Sequence, residues 1–110
     1  MEERLDINCV AMEVILNAGD GRQLVDEALE ALATLDFEKA EDLLKKAEEK
    51  VLAAHKAQTK VVQAQVSGEE MEYSLLFIHA QDTVMTINTE LRLTQKMLPI
   101  FKKLSKGEIK

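Results

Sequence analysis

The sequence predicts an all-α fold, and three observations support that prediction. A single Pro and four Gly in 110 residues leave few positions that would break a helix. Aromatic residues make up only 4% of the chain, while the helix-favouring Ala, Leu, Glu and Lys are frequent. Apolar residues recur at helical spacing in three long stretches. We therefore predict an antiparallel three-helix bundle, up-down-up, that forms a single domain over residues 1–110.

The first predicted helix spans residues 3–34. Residues 17–21 contain two glycines, each of which disfavours a helix by roughly 1 kcal/mol relative to alanine. We expect a kink there rather than a break. Cys9 lies in an apolar stretch, so we expect a small buried side chain rather than a reactive thiol. The predicted apolar stripe of this helix consists of Leu5, Cys9, Met12, Leu16, Leu24, Ala28 and Leu32.

The second predicted helix spans residues 36–66. Asp36 is suited to cap its first turn, because a carboxylate can accept hydrogen bonds from free backbone N–H groups. The stripe that follows is narrow and rich in alanine, so neighbouring helices can approach it closely. Gln58 is a polar residue within that stripe. The stripe consists of Ala40, Leu44, Ala47, Val51, Ala54, Gln58, Val61 and Gln65.

The third predicted helix spans residues 73–104 and carries two apolar faces on roughly opposite sides. A three-helix bundle needs to bury only one face of each helix. The second face therefore predicts contact with another copy of the chain. The first face consists of Ala80, Val84, Ile87, Leu91 and Leu98, and the second of Leu75, Ile78, Met85, Leu93 and Ile100. Pro99 is expected to kink the last turns of the helix.

Charge and composition exclude several classes of function. The net charge of −6 argues against binding to nucleic acid or to an anionic membrane, since both favour basic surfaces. A helix needs about 20 apolar residues to span a bilayer, and no apolar run in the sequence approaches that length. The acidic start, MEERLDIN, does not resemble a secretory signal, and one cysteine cannot form an internal disulfide. We expect a cytoplasmic protein.

Asp82 is unusual because it lies in the middle of the second apolar face, between Ile78 and Met85. An isolated buried carboxylate is costly unless it is protonated, hydrogen-bonded or bound to a cation. One interpretation is a buried acid that pairs with a polar neighbour such as Gln58. The other is a symmetric interface at which copies of Asp82 converge on a cation, and carboxylate oxygens suit Mg²⁺. The residue pattern leaves both open.

His79 lies one turn before Asp82, at the edge of the same apolar face. A lone histidine in such a position usually has a structural role, and His55 on the second helix is an example. Two histidines and one carboxylate do not form a zinc site or a nucleophile pair. Gln81 falls on the adjacent polar strip, so we expect it only to support any reaction that takes place at His79. Residue types alone therefore predict an oligomeric helical bundle without a defined reaction.

Three segments carry a resemblance to a known family. Residues 77–86, FIHAQDTVMT, resemble the active-site segment of the lactose/cellobiose IIA family of the bacterial sugar phosphotransferase system, which usually reads L-V-H-A-Q-D-H-L-M-T. Residues 15–22, ILNAGDGR, are similar to that family's I-I-N-S-G-x-A-R. Residues 54–60 match its A-H-x-x-Q-T-K. The matches occur in the family's order and cover nearly the whole chain.

The resemblance implies a homotrimer of three-helix subunits that carries phosphoryl groups. The histidine matching His79 would accept phosphate from the phosphocarrier HPr and pass it to a cysteine of the IIB component, during uptake of a lactose-, cellobiose- or chitobiose-type sugar. The aspartate matching Asp82 would bind one Mg²⁺ shared by the trimer. Thr83 departs from the family, which commonly has a second histidine there. The alternative is a non-enzymatic helical adaptor or scaffold.

Overall fold

A computed structural model describes residues 6–107 of the chain and confirms the all-α, three-helix prediction. The helices are α1 (Ile7–Ala33), α2 (Phe37–Val66) and α3 (Leu75–Ser105), and within residues 6–107 all regular secondary structure is helical. Residues 3–5 of the first predicted helix lie outside the described residues. The bundle is elongated, with extents of 61 × 23 × 20 Å.

Each helix begins at a side chain that accepts a hydrogen bond from a free backbone N–H. Asp6 accepts from the amides of Asn8 and Cys9, and Asp36 accepts from that of Lys39 at 3.2 Å, as predicted. The hydroxyl of Ser74 accepts from the amide of Phe77 at 3.0 Å. The same hydroxyl donates to the side-chain oxygen of Asn8 at 2.7 Å, which attaches the start of α3 to the start of α1.

The helix α1 runs without interruption through both central glycines. Gly21 is buried, and a Cβ atom at that position would lie 3.1 Å from Cγ2 of Val51 on α2. A Cβ atom at Gly19 would meet no other atom within 4 Å. Gly21 therefore permits α1 and α2 to approach closely, while Gly19 has no packing role. Ion pairs flank this contact, from Lys50 to Asp20 and from Arg22 to Glu90.

The prediction of a buried Cys9 is wrong, because the thiol is exposed. The predicted stripe of α1 is also wrong in its first half, where Met12 and Leu16 are exposed as well. The helix instead buries an adjacent face of smaller side chains, and small side chains fit the close helix spacing at Gly21. The residues buried in the first half of α1 are Ile7, Val10, Ala11, Val14 and Ala18.

The core lies along the centre of the bundle, and α2 contributes most of its predicted stripe to it. Six of the eight predicted residues are buried, while Gln58 is half-buried and Gln65 is exposed. Two polar contacts join α2 to α3 and run in the antiparallel sense. Gln95 donates to Glu48 at 3.2 Å, and Lys102 forms an ion pair with Glu41.

The two apolar faces predicted for α3 are both present, in different environments. The inner face packs in the core, with Ala80, Val84, Ile87 and Leu91 buried. The outer face is exposed to solvent in the single chain and consists of Leu75, Ile78, Met85, Leu93 and Ile100. The helix α3 continues beyond Pro99 as far as Ser105.

Candidate functional site

His79 lies in the second turn of α3, at the border between the buried inner face and the exposed outer face. Its side chain is exposed, while the next residue, Ala80, is fully buried. The backbone carbonyl of His79 accepts a hydrogen bond from the hydroxyl of Thr83 at 2.8 Å. Within residues 6–107, neither imidazole nitrogen of His79 makes a hydrogen bond. The ring is therefore free to meet a reactant that approaches from solvent.

Asp82 is exposed in the single chain, so the first interpretation, a buried acid paired with Gln58, does not hold within one chain. It lies on the outer face with Ile78 one turn before it and Met85 one turn after it, and both are exposed. No group of three side chains able to hold a metal ion occurs in the described part of the chain. One chain thus supplies a single carboxylate, surrounded by apolar side chains, which could ligate a cation only together with other copies.

Gln81, a predicted site residue, and Gln58, the polar residue of the α2 stripe, lie on neighbouring helices at levels about one helical turn apart. The α2–α3 contacts of Glu48 with Gln95 and of Glu41 with Lys102 set the antiparallel register, which places Gln58 near the turn that follows Gln81. The Oε1 atom of Gln58 is buried and has no hydrogen-bond partner among the described residues. Gln81 is half-buried. A buried amide oxygen without a donor is unfavourable, so this level of the bundle has an unused acceptor.

His55 lies in a different setting from His79. It is exposed and borders a groove between α2 and α3 with a volume of about 380 Å³. The groove is mainly apolar, and its lining residues are Glu48, Val51, Leu52, His55, Val84, Met85, Asn88 and Leu91. Because Met85 also belongs to the outer face, the groove continues the exposed apolar surface of α3. His55 therefore lies beside an apolar surface. Within residues 6–107 it has no neighbouring side chain that could act as a catalytic partner.

Sequence reasoning missed exposed apolar side chains at the end of α2 and in the segment that follows it. Val66 and Tyr73 are 83% and 82% exposed, and Val62, one turn before Val66, is exposed as well. Val62 and Val66 are four residues apart and lie outside the predicted stripe of α2. That spacing was the signal that could have revealed a second apolar strip on α2.

Comparison with known families matches residues 9–102 to the family described as PTS system, Lactose/Cellobiose specific IIA subunit. The chain belongs to this family. Its members are components of the phosphotransferase system, and the predicted family resemblance is confirmed. The lactose-specific EIIA component of Staphylococcus epidermidis is 36% identical over 100 residues, which cover 91% of this chain and 96% of that protein.

Solved structures agree with this assignment. The cellobiose-specific enzyme IIA of Bacillus anthracis is 32% identical with a TM-score of 0.86, covering 94% of this chain and 95% of that chain. The IIA(Chitobiose)–HPr complex of Escherichia coli includes a chain that is 27% identical with a TM-score of 0.78. That match covers 93% of this chain and 99% of the other. No helix in residues 6–107 of the present chain is long and apolar enough to cross a membrane.

Proposed function

We propose that this IIA chain carries phosphoryl groups on His79, accepting them from HPr in the cytoplasm and passing them to a cysteine of the IIB component. The observation that carries the proposal is the position of His79. It is an exposed imidazole at the border of an exposed apolar face, within the HAQD segment of a IIA chain. The Escherichia coli relative is described in complex with HPr, which supports HPr as the donor.

The reaction needs a nucleophile with a free lone pair and access to a protein partner. An imidazole is largely uncharged near neutral pH, so one ring nitrogen can attack phosphorus. The new N–P bond forms at His79 as the phosphorus–donor bond breaks, and the electron pair of that bond stays with the donor. In the second step a cysteine thiolate of IIB attacks phosphorus, and the imidazole leaves with its electron pair. The phosphoryl group moves onward into a lactose-, cellobiose- or chitobiose-type sugar.

The outer face of α3 supports assembly into a homotrimer. Leu93 is 57% exposed and Met85 is 59% exposed, and a monomer gains nothing by exposing such a series of large apolar side chains. Burying this face between copies would place His79 beside a subunit boundary. We expect light scattering to report three chains per particle, and a monomer at micromolar concentration would contradict this assembly.

Asp82 fits a shared Mg²⁺ only within such an assembly. Its exposed carboxylate supplies oxygen, which Mg²⁺ prefers, but a single chain offers no second ligand beside it among the described residues. Copies related by a three-fold axis would bring three carboxylates together, and a bound Mg²⁺ would neutralise their mutual repulsion. Gln81 has a supporting role on the neighbouring polar strip.

Incubation with phosphoenolpyruvate, enzyme I and HPr tests the function. The wild-type chain should gain one phosphoryl group, as measured by intact mass. The His79→Gln variant should keep its helical spectrum and accept none, because residue 79 is exposed and contributes little to the core. The matched His55→Gln variant should still accept it. The adduct should be acid-labile and base-stable, as phosphoramidates are. Wild-type protein that gains no mass from a competent HPr would contradict the proposal and favour a non-enzymatic adaptor.

A further inference from the structure

Thr83 is the residue whose hydroxyl lies closest along α3 to the proposed phosphoryl acceptor. Its Oγ1 donates a hydrogen bond to the carbonyl of His79 at 2.8 Å. Thr86 and Thr89 make the same type of bond to the carbonyls of Asp82 and Met85. The hydroxyl proton of Thr83 is therefore used, and Oγ1 can act toward other groups only as an acceptor.

The imidazole of His79 can reach this acceptor. Residues four apart on a helix lie on the same side, and such pairs can converge on a single bound atom, as the two histidines of helical metal sites do. The His79 ring makes no hydrogen bond within residues 6–107 and is exposed, so it can turn about its two side-chain bonds at little cost. Thr83 is half-buried, and its Oγ1 is held in place by the bond to the carbonyl of His79.

Asp82 is the other side-chain acceptor near His79 on α3, and it is less well placed to accept a hydrogen bond from the ring. With 3.6 residues per turn, Thr83 is displaced by about 40° around the helix from His79, and Asp82 by about 60° in the opposite direction. Asp82 lies toward the centre of the outer face, where the proposed assembly occupies its carboxylate. The preceding turn offers only the apolar Leu75 and Leu76. On α3, Thr83 is thus the side-chain acceptor best placed for a ring N–H of His79.

We propose that Thr83 is a positioning residue whose Oγ1 accepts the Nδ1–H of His79 and so places the lone pair on Nε2. This inference rests on the proposed phosphoryl transfer at His79. The nitrogen that bears the proton is set by the hydrogen bond that it makes. Nε2 is the nitrogen farther from the backbone, where it can form the new N–P bond while Nδ1 keeps its proton. A second histidine at this position could either donate or accept, whereas the fixed hydroxyl of Thr83 can only accept.

The test compares ring nitrogens by NMR in ¹⁵N-histidine-labelled protein under basic conditions, because only a neutral imidazole has one N–H and one lone pair. In the wild type, Nε2 of His79 should have the shift of a nitrogen with a lone pair and Nδ1 that of an N–H. His55 has the same arrangement, because Oγ1 of Thr59 donates to its carbonyl at 2.8 Å, so its ring should show the same form as that of His79. The near-isosteric Thr83→Val should move His79 alone to the Nε2–H form, which histidine prefers in water, and Thr83→Ser should restore the Nδ1–H form. Thr89→Val is the matched control and should change neither histidine.

The rate of phosphoryl uptake from HPr supplies the second readout. Thr83→Val should slow it by roughly tenfold, the size of effect seen when a residue that orients an imidazole is lost, and Thr83→Ser should restore it. A His79 tautomer that does not change in Thr83→Val, or an uptake rate that does not change, overturns the inference. A wild-type chain that takes up no phosphate contradicts the proposed function instead, and the NMR result still decides the contact with Thr83.

Discussion

The two apolar faces of α3 have similar compositions and opposite environments. On the inner face, Ile87 is fully buried, and Val84 and Leu91 pack beside it in the core. On the outer face, Ile78 is 41% exposed, and one residue further along the chain lies His79. The inner face accounts for the fold of a single chain. The outer face has no role in that fold, so its apolar residues indicate contact with another molecule.

The difference also shows where functional residues lie. The inner face of α3 carries one buried polar residue, Thr94, whose hydroxyl is satisfied by the carbonyl of Glu90 at 2.7 Å. The outer face carries the carboxylate of Asp82 and borders the imidazole of His79, and neither group has a side-chain partner within residues 6–107. On α3, these polar groups without partners thus lie on or beside the face that a single chain leaves open, where a second molecule can supply the partners.

A matched pair of isoleucine variants tests the difference between the inner and outer faces of α3, and it should give the largest change in stability of the variants considered. Ile87→Ala should lower the free energy of unfolding by about 2–5 kcal/mol, because it leaves a cavity in the core. Ile78→Ala should cost clearly less in urea denaturation but should weaken assembly, as measured by light scattering over a dilution series. Equal losses of stability with no change in assembly would show that the two faces do not differ as described.

The glycines of α1 offer the same contrast on a second helix. Gly21→Leu should destabilise the protein by about 1–3 kcal/mol, because even its Cβ would crowd Val51 on α2. Gly19→Leu is the matched control and should cost nothing, since that position is open and leucine favours helices over glycine. Urea denaturation of both variants provides the measurement, and a similar loss at both positions would refute the close approach at Gly21.

Asp82→Leu tests the charged centre of the outer face. In the proposed trimer, the substitution would remove both the repulsion between carboxylates and the need for a cation, so we expect the variant to be trimeric and no less stable than the wild type. Chelation of Mg²⁺ should lower the melting temperature of the wild type and not that of Asp82→Leu. Asp26→Asn, an exposed acid on α1, is the control and should keep the wild-type response. A monomeric Asp82→Leu would mean that the carboxylate makes specific contacts.

The smallest expected effect concerns the exposed side of α1. The thiol of Cys9 donates to Oδ2 of Asp6 at 3.3 Å, and this hydrogen bond, with the nearby negative charge, raises the pKa of Cys9. A raised pKa leaves less thiolate, the reactive form, at pH 8. Asp6→Asn should therefore speed alkylation of Cys9 by iodoacetamide while still capping α1. Asp20→Asn should not change the rate. If Cys9 did not react in the folded protein, the conclusion that this side of α1 is exposed would be wrong.

Much of the fold could be predicted from local patterns. The capping carboxylate of Asp36 and the alanine-rich stripe of α2 depend on residues within a few positions of each other. The face of α1 could not be predicted in the same way, because apolar residues occupy two adjacent sides of its first half. Packing at Gly21 selects the side with smaller residues, and this contact between distant parts of the chain is not visible as a periodicity.

The candidate site was predictable only in part. The positions of His79 and Asp82 relative to the outer face followed from helical spacing. The exposure of Asp82 in a single chain did not, because spacing places a residue on a face without saying what covers that face. The buried oxygen of Gln58 and the bond from Thr83 to the His79 carbonyl depend on side-chain conformations, which the sequence does not specify.

The central claim is that His79 carries the phosphoryl group, and peptide-level mass spectrometry of the phosphorylated wild-type protein tests it most directly. Digestion and fragmentation should be done under neutral to basic conditions, so that a phosphohistidine survives. We expect one phosphoryl group on the peptide that contains residues 77–86, attached at His79, and none on the peptide that contains His55. A phosphoryl group on His55, or on any residue other than His79, would contradict the role of His79 as the carrier.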